Sequence, residues 1–497
     1  MSSENSTLIR NKISIFSLLK AFNLIVFILM IYVYIEYGNN QYINQGTIWI
    51  NGLQCLLSHF VLNDAEKNNN HLLAVLAFVM VVHFEFRIVS LNYTEFSEII
   101  KSRVKIDAHG INWILLYVLA SYFLTWIGIR FSKTKIHEIN DKHECLKNRA
   151  AKNILFLLYI SFFLMLLSAI GVPGISHIVG ILSVYFLNMN FMLLFGIGFF
   201  LYRWKDVSRS EKIWFIAFLL IYIVVFTGIG RRSTIYGIAI MTFFSMLAFD
   251  KIYLKRRYVL YGFVLLPLMV WMFTFSTFTR QNRQQTLSVA DAVALSRELS
   301  DQVDWNDTRM ILAPVFNRIA FFDFTVEMVQ NYDHLKNYLT PGNYIKSVVD
   351  NLLTPGFDLF DMPKMSYVIT KSYSIQGPPS SKRYNIDENF QSDATSWYGE
   401  AYLLFGKYLA FPVILLVAVL TKNLYLRVSK KRSLTSMWKR TIILYLFYTL
   451  LYSYGLDWWL IYLVAFIINY EIFKSITRAN RQTNSYLISD NSNNSIV

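Results

Sequence analysis

Long apolar runs alternate with short polar connections along most of the chain, and the alternation breaks once. Runs of roughly 17 to 25 residues, enough to cross the hydrocarbon core of a bilayer, occur near 13–35, 46–62, 71–91, 111–129, 153–172, 177–201, 213–229, 233–249 and 258–278. They resume near 397–421, 441–456 and 458–473, and none occurs in between. The pattern predicts an all-α polytopic membrane protein of about twelve transmembrane helices. Nine would lie in 1–278, an extracytoplasmic loop domain in 279–396 and three more in 397–474, followed by a disordered tail in 475–497. The second run is the most polar, carrying Asn51, Gln54 and His59. The first, Ile13 to Ile35, is too long for a signal-peptide core and lacks a small-residue cleavage site, so it is expected to stay as an anchor.

Inside the break the composition is not that of a linker. Ser288 to Leu299 and Met310 to Val329 carry apolar residues at helical spacing, among them Ile311, Val315, Ile319, Phe322 and Val326. Asn343 to Leu353 lies between Pro341-Gly342 and Pro355-Gly356, which predicts a short helix with punctuated ends. These helices would lie on the membrane or on each other. Ser372 to Asp393, rich in Gly, Pro, Ser and Asn, is the expected lid over a substrate.

Composition agrees with a membrane protein: 55% of residues are hydrophobic and 16% charged, with a mean hydropathy of +0.38. The formal charge of +15 could suggest nucleic acid, but the cations sit in short loops and form no long basic face, so no nucleic-acid partner is expected. With a cytoplasmic N-terminus, the inside connections and termini hold about 28 Lys and Arg and the short outside ones about five. Both termini are then cytoplasmic and the 279–396 segment is outside. The exception is the outer loop 92–110, with Lys101, Arg103 and Lys105. Two cysteines, Cys55 in an apolar run and Cys145 in a basic loop, form no disulfide framework.

The charge bias makes GIGRRSTIYG informative, because Arg231 and Arg232 fall at an outer turn where cations are otherwise scarce. A guanidinium offers phosphate oxygens a planar fork of donors and stays charged; headgroup snorkelling or pairing with a loop carboxylate explains the same placement. Arg280 and Arg283, in TFTRQNRQQ, could share the anion or anchor a helix end. Arg318, in NRIAFFDF, is either a ligand or a solvated edge. Among the carboxylates, Asp387, Glu388 and Asp393 lie in the loop and Glu400 about one turn inside the tenth run, where an ionisable group needs a cavity or a partner. Glu400 is the first candidate for a base, or for a structural ion pair. Asp393 and Tyr398, on either side of the loop exit, are expected to contact the same substrate. His83 and Arg87 share a face of the third run with Glu85 nearly opposite, which suggests a polar cluster in the bundle core. The aromatics Tyr452, Tyr454, Trp458 and Trp459 around Asp457 read as an interfacial belt. No zinc spacing, Walker loop, dinucleotide fingerprint or nucleophile elbow is present.

The span count, the late outer loop, the Arg-bearing GIGRRS turn and the exit SWYGEAYLLFG (Ser396 to Gly406), of the form S-x-x-G-E-x-Y-x-x-F-G, resemble the Wzy-type O-antigen and capsular oligosaccharide repeat-unit polymerases. Where that family often has a further glycine after its F-G, this chain has Lys407-Tyr408-Leu409-Ala410. The resemblance implies a multi-pass enzyme of the bacterial inner membrane with a GT-C-like fold. It would move the growing glycan from undecaprenyl diphosphate to a hydroxyl of the next lipid-linked repeat unit, without metal or cofactor. Its partners would be the lipid-linked donor and acceptor, membrane lipids and a chain-length regulator protein. Diphosphate binding would fall to Arg231, Arg232 and Arg280, and Glu400 would be the motif glutamate. Two other readings remain open: an O-antigen ligase-type lipid-sugar transferase, and a polysaccharide flippase or transporter. The folded outer segment speaks against a flippase, which would need none.

Overall fold

The computed structural model describes residues 12–91, 96, 98–130, 149–170, 179, 182–228, 233–281, 312, 315–316, 321–353, 359–360, 362, 364–373, 396–429, 433–452 and 456–477. A short strand β1 (Lys12–Ser14) leads into α1 (Ile15–Tyr37), α2 (Gln45–Asn68), α3 (His71–Ser90), the short α4 (Glu98–Arg103), α5 (Ala108–Arg130) and α6 (Ala150–Ile170). Then come α7 (Leu182–Arg203), α8 (Arg209–Gly228), α9 (Ser233–Ala248), strand β2 (Tyr253–Lys255) and α10 (Arg256–Gln281). The loop domain contributes α11 (Phe321–Gln330), α12 (Pro341–Leu353) and α13 (Met365–Ser372), and α14 (Trp397–Ser429), α15 (Leu434–Tyr452) and α16 (Leu456–Thr477) follow.

Among the described residues, eight helices are long and apolar enough to cross a membrane: α1, α3, α5, α6, α7, α8, α14 and α16. The chain is therefore nearly all-α and multi-pass. Helices α2, α9, α10 and α15 occupy the other predicted positions. The way apolar surface is distributed explains the packing. The apolar window of α3 is 83% buried and that of α1 only 22%, because a helix apolar on every side belongs either in the core or against lipid. So α3 is the central post, and Leu24, Ile25 and Ile28 of α1 face outward.

Long-range contacts sort the connections onto two ends of the bundle. At one end, β1 pairs antiparallel with β2 (Lys12 opposite Lys255), Lys20 Nζ meets Glu66 Oε2 at 2.6 Å and Arg130 Nε meets Asp64 Oδ2 at 3.2 Å. There too, His71 Nδ1 lies 2.8 Å from the Tyr425 hydroxyl, and Asn153 Nδ2 donates to the Ile476 carbonyl at 3.1 Å. These are the segments whose basic surplus predicts a shared side. The loop domain sits at the opposite end.

Two boundaries differ from those expected. Helix α14 runs on past 421 to Ser429, through Lys422 and Arg427, and α15 begins at Leu434 rather than 441. Backbone hydrogen bonding is indifferent to side-chain polarity, and long cationic side chains can reach toward water from a helix end. Within the described residues, helix α7 opens with a π-helical turn from Leu182 to Phe186 and is re-initiated at Asn188, whose Oδ1 accepts from Asn190 N–H at 3.0 Å. The helix expected over 288–299 and Cys145 lie outside the described residues, as does the lid expected over 372–393 except for Ser372, which ends α13, and Tyr373.

The loop domain does not merely lie over the bundle; α11 is built into it. Phe322 and Val326 are fully buried. Asp323 receives two hydrogen bonds from Arg87 of α3, Nε to Oδ1 at 2.8 Å and Nη2 to Oδ2 at 2.7 Å. Glu327, one turn on, pairs with Arg103 of α4 at 2.9 Å. Helix α12 ends where expected, at Leu353, but starts two residues before Asn343, with Pro341 in its first turn and the Thr340 hydroxyl accepting from Asn343 N–H at 3.2 Å. Helix α13, which had no sequence signal, joins it in a second core of Met328, Leu335, Leu339, Tyr344, Met365 and Ile369 that closes on Leu403 of α14.

Removing one member of a buried pair leaves an unneutralised charge, at a cost of about 3–5 kcal/mol. Asp323→Ala should therefore lower thermal stability in detergent sharply. The double variant Arg87→Met/Asp323→Leu should recover most of the loss.

Candidate functional site

The motif SWYGEAYLLFG is where the loop domain meets the bundle. Ser396 caps α14: its Oγ accepts from Gly399 N–H at 3.2 Å and lies 2.6 Å from the Thr325 hydroxyl of α11. A β-carbon at Gly399 would come within 2.5 Å of Met328 Sδ, so only glycine lets α11 approach this closely. Tyr402 packs edge-on against the rings of Tyr117, at 5.1 Å, and Tyr332, at 5.4 Å. Gly406 breaks the helix at φ +73°, ψ 175°, a conformation that side-chain-bearing residues adopt only under strain. The bend thus sits on the motif glycine itself, and Lys407 after it places its ammonium 4.1 Å from the Trp113 ring centroid.

Glu400 is 1% exposed, in the first turn of α14. Its Oε2 accepts from Leu456 N–H, the first amide of α16, at 2.9 Å. One carboxylate thereby lies at the start of two helices, where unpaired N–H groups and the helix dipole favour negative charge. Asp457, fully buried beside it, accepts at Oδ2 from the Ser347 hydroxyl of α12 and from Met365 N–H at the start of α13, both at 2.9 Å. Asp350 in turn accepts from Leu359, Phe360 and Met362 N–H at 3.0, 2.9 and 2.6 Å.

Two further groups face these carboxylates. The Tyr344 phenol is pushed well above its ordinary range by burial, then by the negative charge of Glu400 and Asp457. Burial pushes the Lys364 ammonium down to about 8, against the pull of Asp457. Next to this group, the Tyr236 hydroxyl lies 2.6 Å from that of Tyr448 and 3.0 Å from His83 Nε2. The Tyr452 ring stands 4.0 Å from the imidazole. Tyr452 ends α15 and Leu456 begins α16, so this network and the carboxylate pair share one end of the bundle. By contrast, the apolar cavity of about 710 Å³ between α1 and α2, lined by residues such as Phe27, Trp49 and Leu53, lies away from these groups.

Of the residues singled out from sequence, Glu400 stands at this junction. Tyr398 is fully buried, its hydroxyl 3.3 Å from Thr125 Oγ1 and its carbonyl accepting from the Tyr117 hydroxyl at 2.8 Å, which is a packing position between α14 and α5. Arg280 belongs to the last turn of α10 by its backbone, and its side chain is not among the described ones; Arg231, Arg232, Arg283, Arg318 and Asp393 lie outside the described residues. His83, Glu85 and Arg87 are all buried and point to three different neighbours, Tyr236, Ser58 and Asp323. Asp457 escaped the sequence reading because its aromatic neighbours suggest an interfacial belt. The rule that singled out Glu400, a carboxylate at the edge of an apolar run, applies to it equally. Tyr344 and Lys364 had no such signal. Among the described residues, no three His, Cys, Asp or Glu side chains gather as a metal site.

No family model, curated protein or solved structure matches the chain. The resemblance to polymerases therefore rests on the motif and on the order of spans.

Lys364 carries a pH signature. Because its folded value of about 8 lies below the ordinary 10.5, the unfolded chain binds more protons between those limits and stability rises with pH there. The cost is fully present below about pH 8. The melting temperature should climb from pH 7.5 to 9.5, before tyrosines ionise, and Lys364→Met should start higher and stay flat.

Proposed function

We propose that the chain polymerises undecaprenyl-diphosphate-linked oligosaccharide repeat units into O-antigen or capsular polysaccharide on the outer side of a bacterial inner membrane. The reading takes the helices at all twelve predicted positions as spans, in a GT-C-like arrangement with both termini cytoplasmic. One observation carries it: the buried carboxylate of Glu400, in the motif shared with the polymerases, lies where the loop domain closes on the bundle, with Asp457, Tyr344 and Lys364 around it.

In the reaction, the bond between the donor sugar's anomeric carbon and the diphosphate oxygen breaks, and a bond to an acceptor hydroxyl oxygen forms. The electron pair leaves with undecaprenyl diphosphate, whose growing negative charge is met by Arg231, Arg232 and Arg280. Fixed cations in a partly dehydrated cleft stabilise the transition state more than the ground state. The acceptor's proton passes to a base, and Glu400 is the candidate. Its grip on Leu456 N–H also gives it a positioning role.

Arg231→Ala and Arg232→Ala should leave membrane insertion intact while surface glycan on gels collapses to single repeats; unchanged length in both would remove the diphosphate clamp. Glu400→Gln can still accept from Leu456 N–H but takes up no proton. Turnover should fall by roughly 10²–10⁴-fold with the melting temperature little changed, and full activity would exclude proton transfer at this position.

A further inference from the structure

The polar stripe of α2 gathers around a carboxylate that neither the loop domain nor the proposed reaction uses. Glu85 closes the π-helical turn Met80–Glu85 of α3 and is fully buried in the bundle. Its Oε1 accepts from Ser58 Oγ at 2.5 Å, and that hydroxyl lies 3.0 Å from the Tyr122 hydroxyl of α5. No nitrogen or oxygen donor reaches its Oε2, and the Cys55 thiol beside the carboxylate is a weak donor only. Among the described residues no cationic side chain pairs with it, and Arg87, two residues on, is committed to Asp323. An ionisable group in a membrane interior with no counter-charge is a functional position by default.

Asn51, Gln54 and Ser58 follow one another at helical spacing on the inner face of α2, all fully buried. The Asn51 amide donates to the Glu85 carbonyl and the Gln54 amide to the Leu115 carbonyl, each at 3.3 Å. With both nitrogens spent, Asn51 Oδ1 and Gln54 Oε1 are left, like Glu85 Oε2, buried and without a nitrogen or oxygen donor. The π turn adds to this. Phe86 N–H bonds to the Val81 carbonyl, five residues back, and such shifts in the ladder free backbone oxygens and recur at functional sites.

The neighbourhood therefore holds one carboxyl group and a surplus of acceptor oxygens. A proton would supply the charge but only a single donor. A water molecule would supply donors but no charge. A dehydrated alkali ion supplies the charge and takes several oxygens at once, and a divalent ion would need a second carboxylate. We propose that Glu85, Asn51 and Gln54 form a binding site for one small monovalent cation of the sodium class between α2 and α3. The site locks these helices together and stands independently of the glycosyl-transfer reading.

The test uses the purified full chain in lipid nanodiscs, melted in sodium, lithium, potassium or N-methylglucamine chloride at equal ionic strength. At a hundredfold excess over Kd, one alkali ion should raise the melting temperature by about 2–3 °C, saturably. Glu85→Gln should abolish the response. Asn51→Ala, which removes one oxygen and keeps the charge, should move the midpoint to higher ion concentration, and it serves as the readout if Glu85→Gln does not assemble. Radioactive sodium should bind the wild type in the same range. Equal melting in all four salts would overturn the site, as would a Glu85→Gln variant that keeps the response, or a wild type that responds to pH and not to cation identity.

Discussion

The hydrogen-bonded pair between Arg87 and Asp323 sets where everything else can go. It joins the central helix to the first described helix of the loop domain through two short bonds, in a place neither side chain shares with water. Buried ions are costly to desolvate, so their geometry tolerates little displacement. Once α11 is held there, its far face defines the surface on which α14 must start, and Gly399, which has no β-carbon, leaves room for this contact.

From that contact outward, carboxylates do the joining. Glu400 holds the first amide of α16, Asp457 that of α13, and Asp350 the segment leading to it. Each acceptor satisfies backbone N–H groups that an apolar surrounding would otherwise leave unpaired. Glu400 is thereby tied into the architecture and also set beside other polar groups at the loop–bundle junction. A substitution that keeps an acceptor and removes the charge can separate those two roles.

One member of the site, Glu400, lay within reach of the sequence, and the limit is instructive. Glu400 stood out because a carboxylate inside an apolar run violates a strong local rule, and α12 stood out because Pro341-Gly342 and Pro355-Gly356 punctuate its ends. Asp457 obeyed the same rule but was masked by its aromatic neighbours. Tyr344 and Lys364 broke no local rule at all, since a tyrosine on an amphipathic helix and a lysine in a loop are ordinary until folding buries them against two carboxylates. Tyr398 shows the converse. Its place in a motif made it look like a ligand, and only the packing of α5 against α14 makes it core.

By itself the sequence determined the membrane class, the positions of the long apolar helices and the existence of helical structure in the segment between their two groups. Those properties follow from the length and period of apolar runs, which are local. The tertiary structure alone decided that α11 enters the bundle, which carboxylate caps which helix, and that the polar stripe of α2 faces Glu85. Arg87 and Asp323 are 236 residues apart, and no local periodicity says which of many possible partners a buried charge will meet; that is settled only when the helices pack and each desolvated group must find a complement.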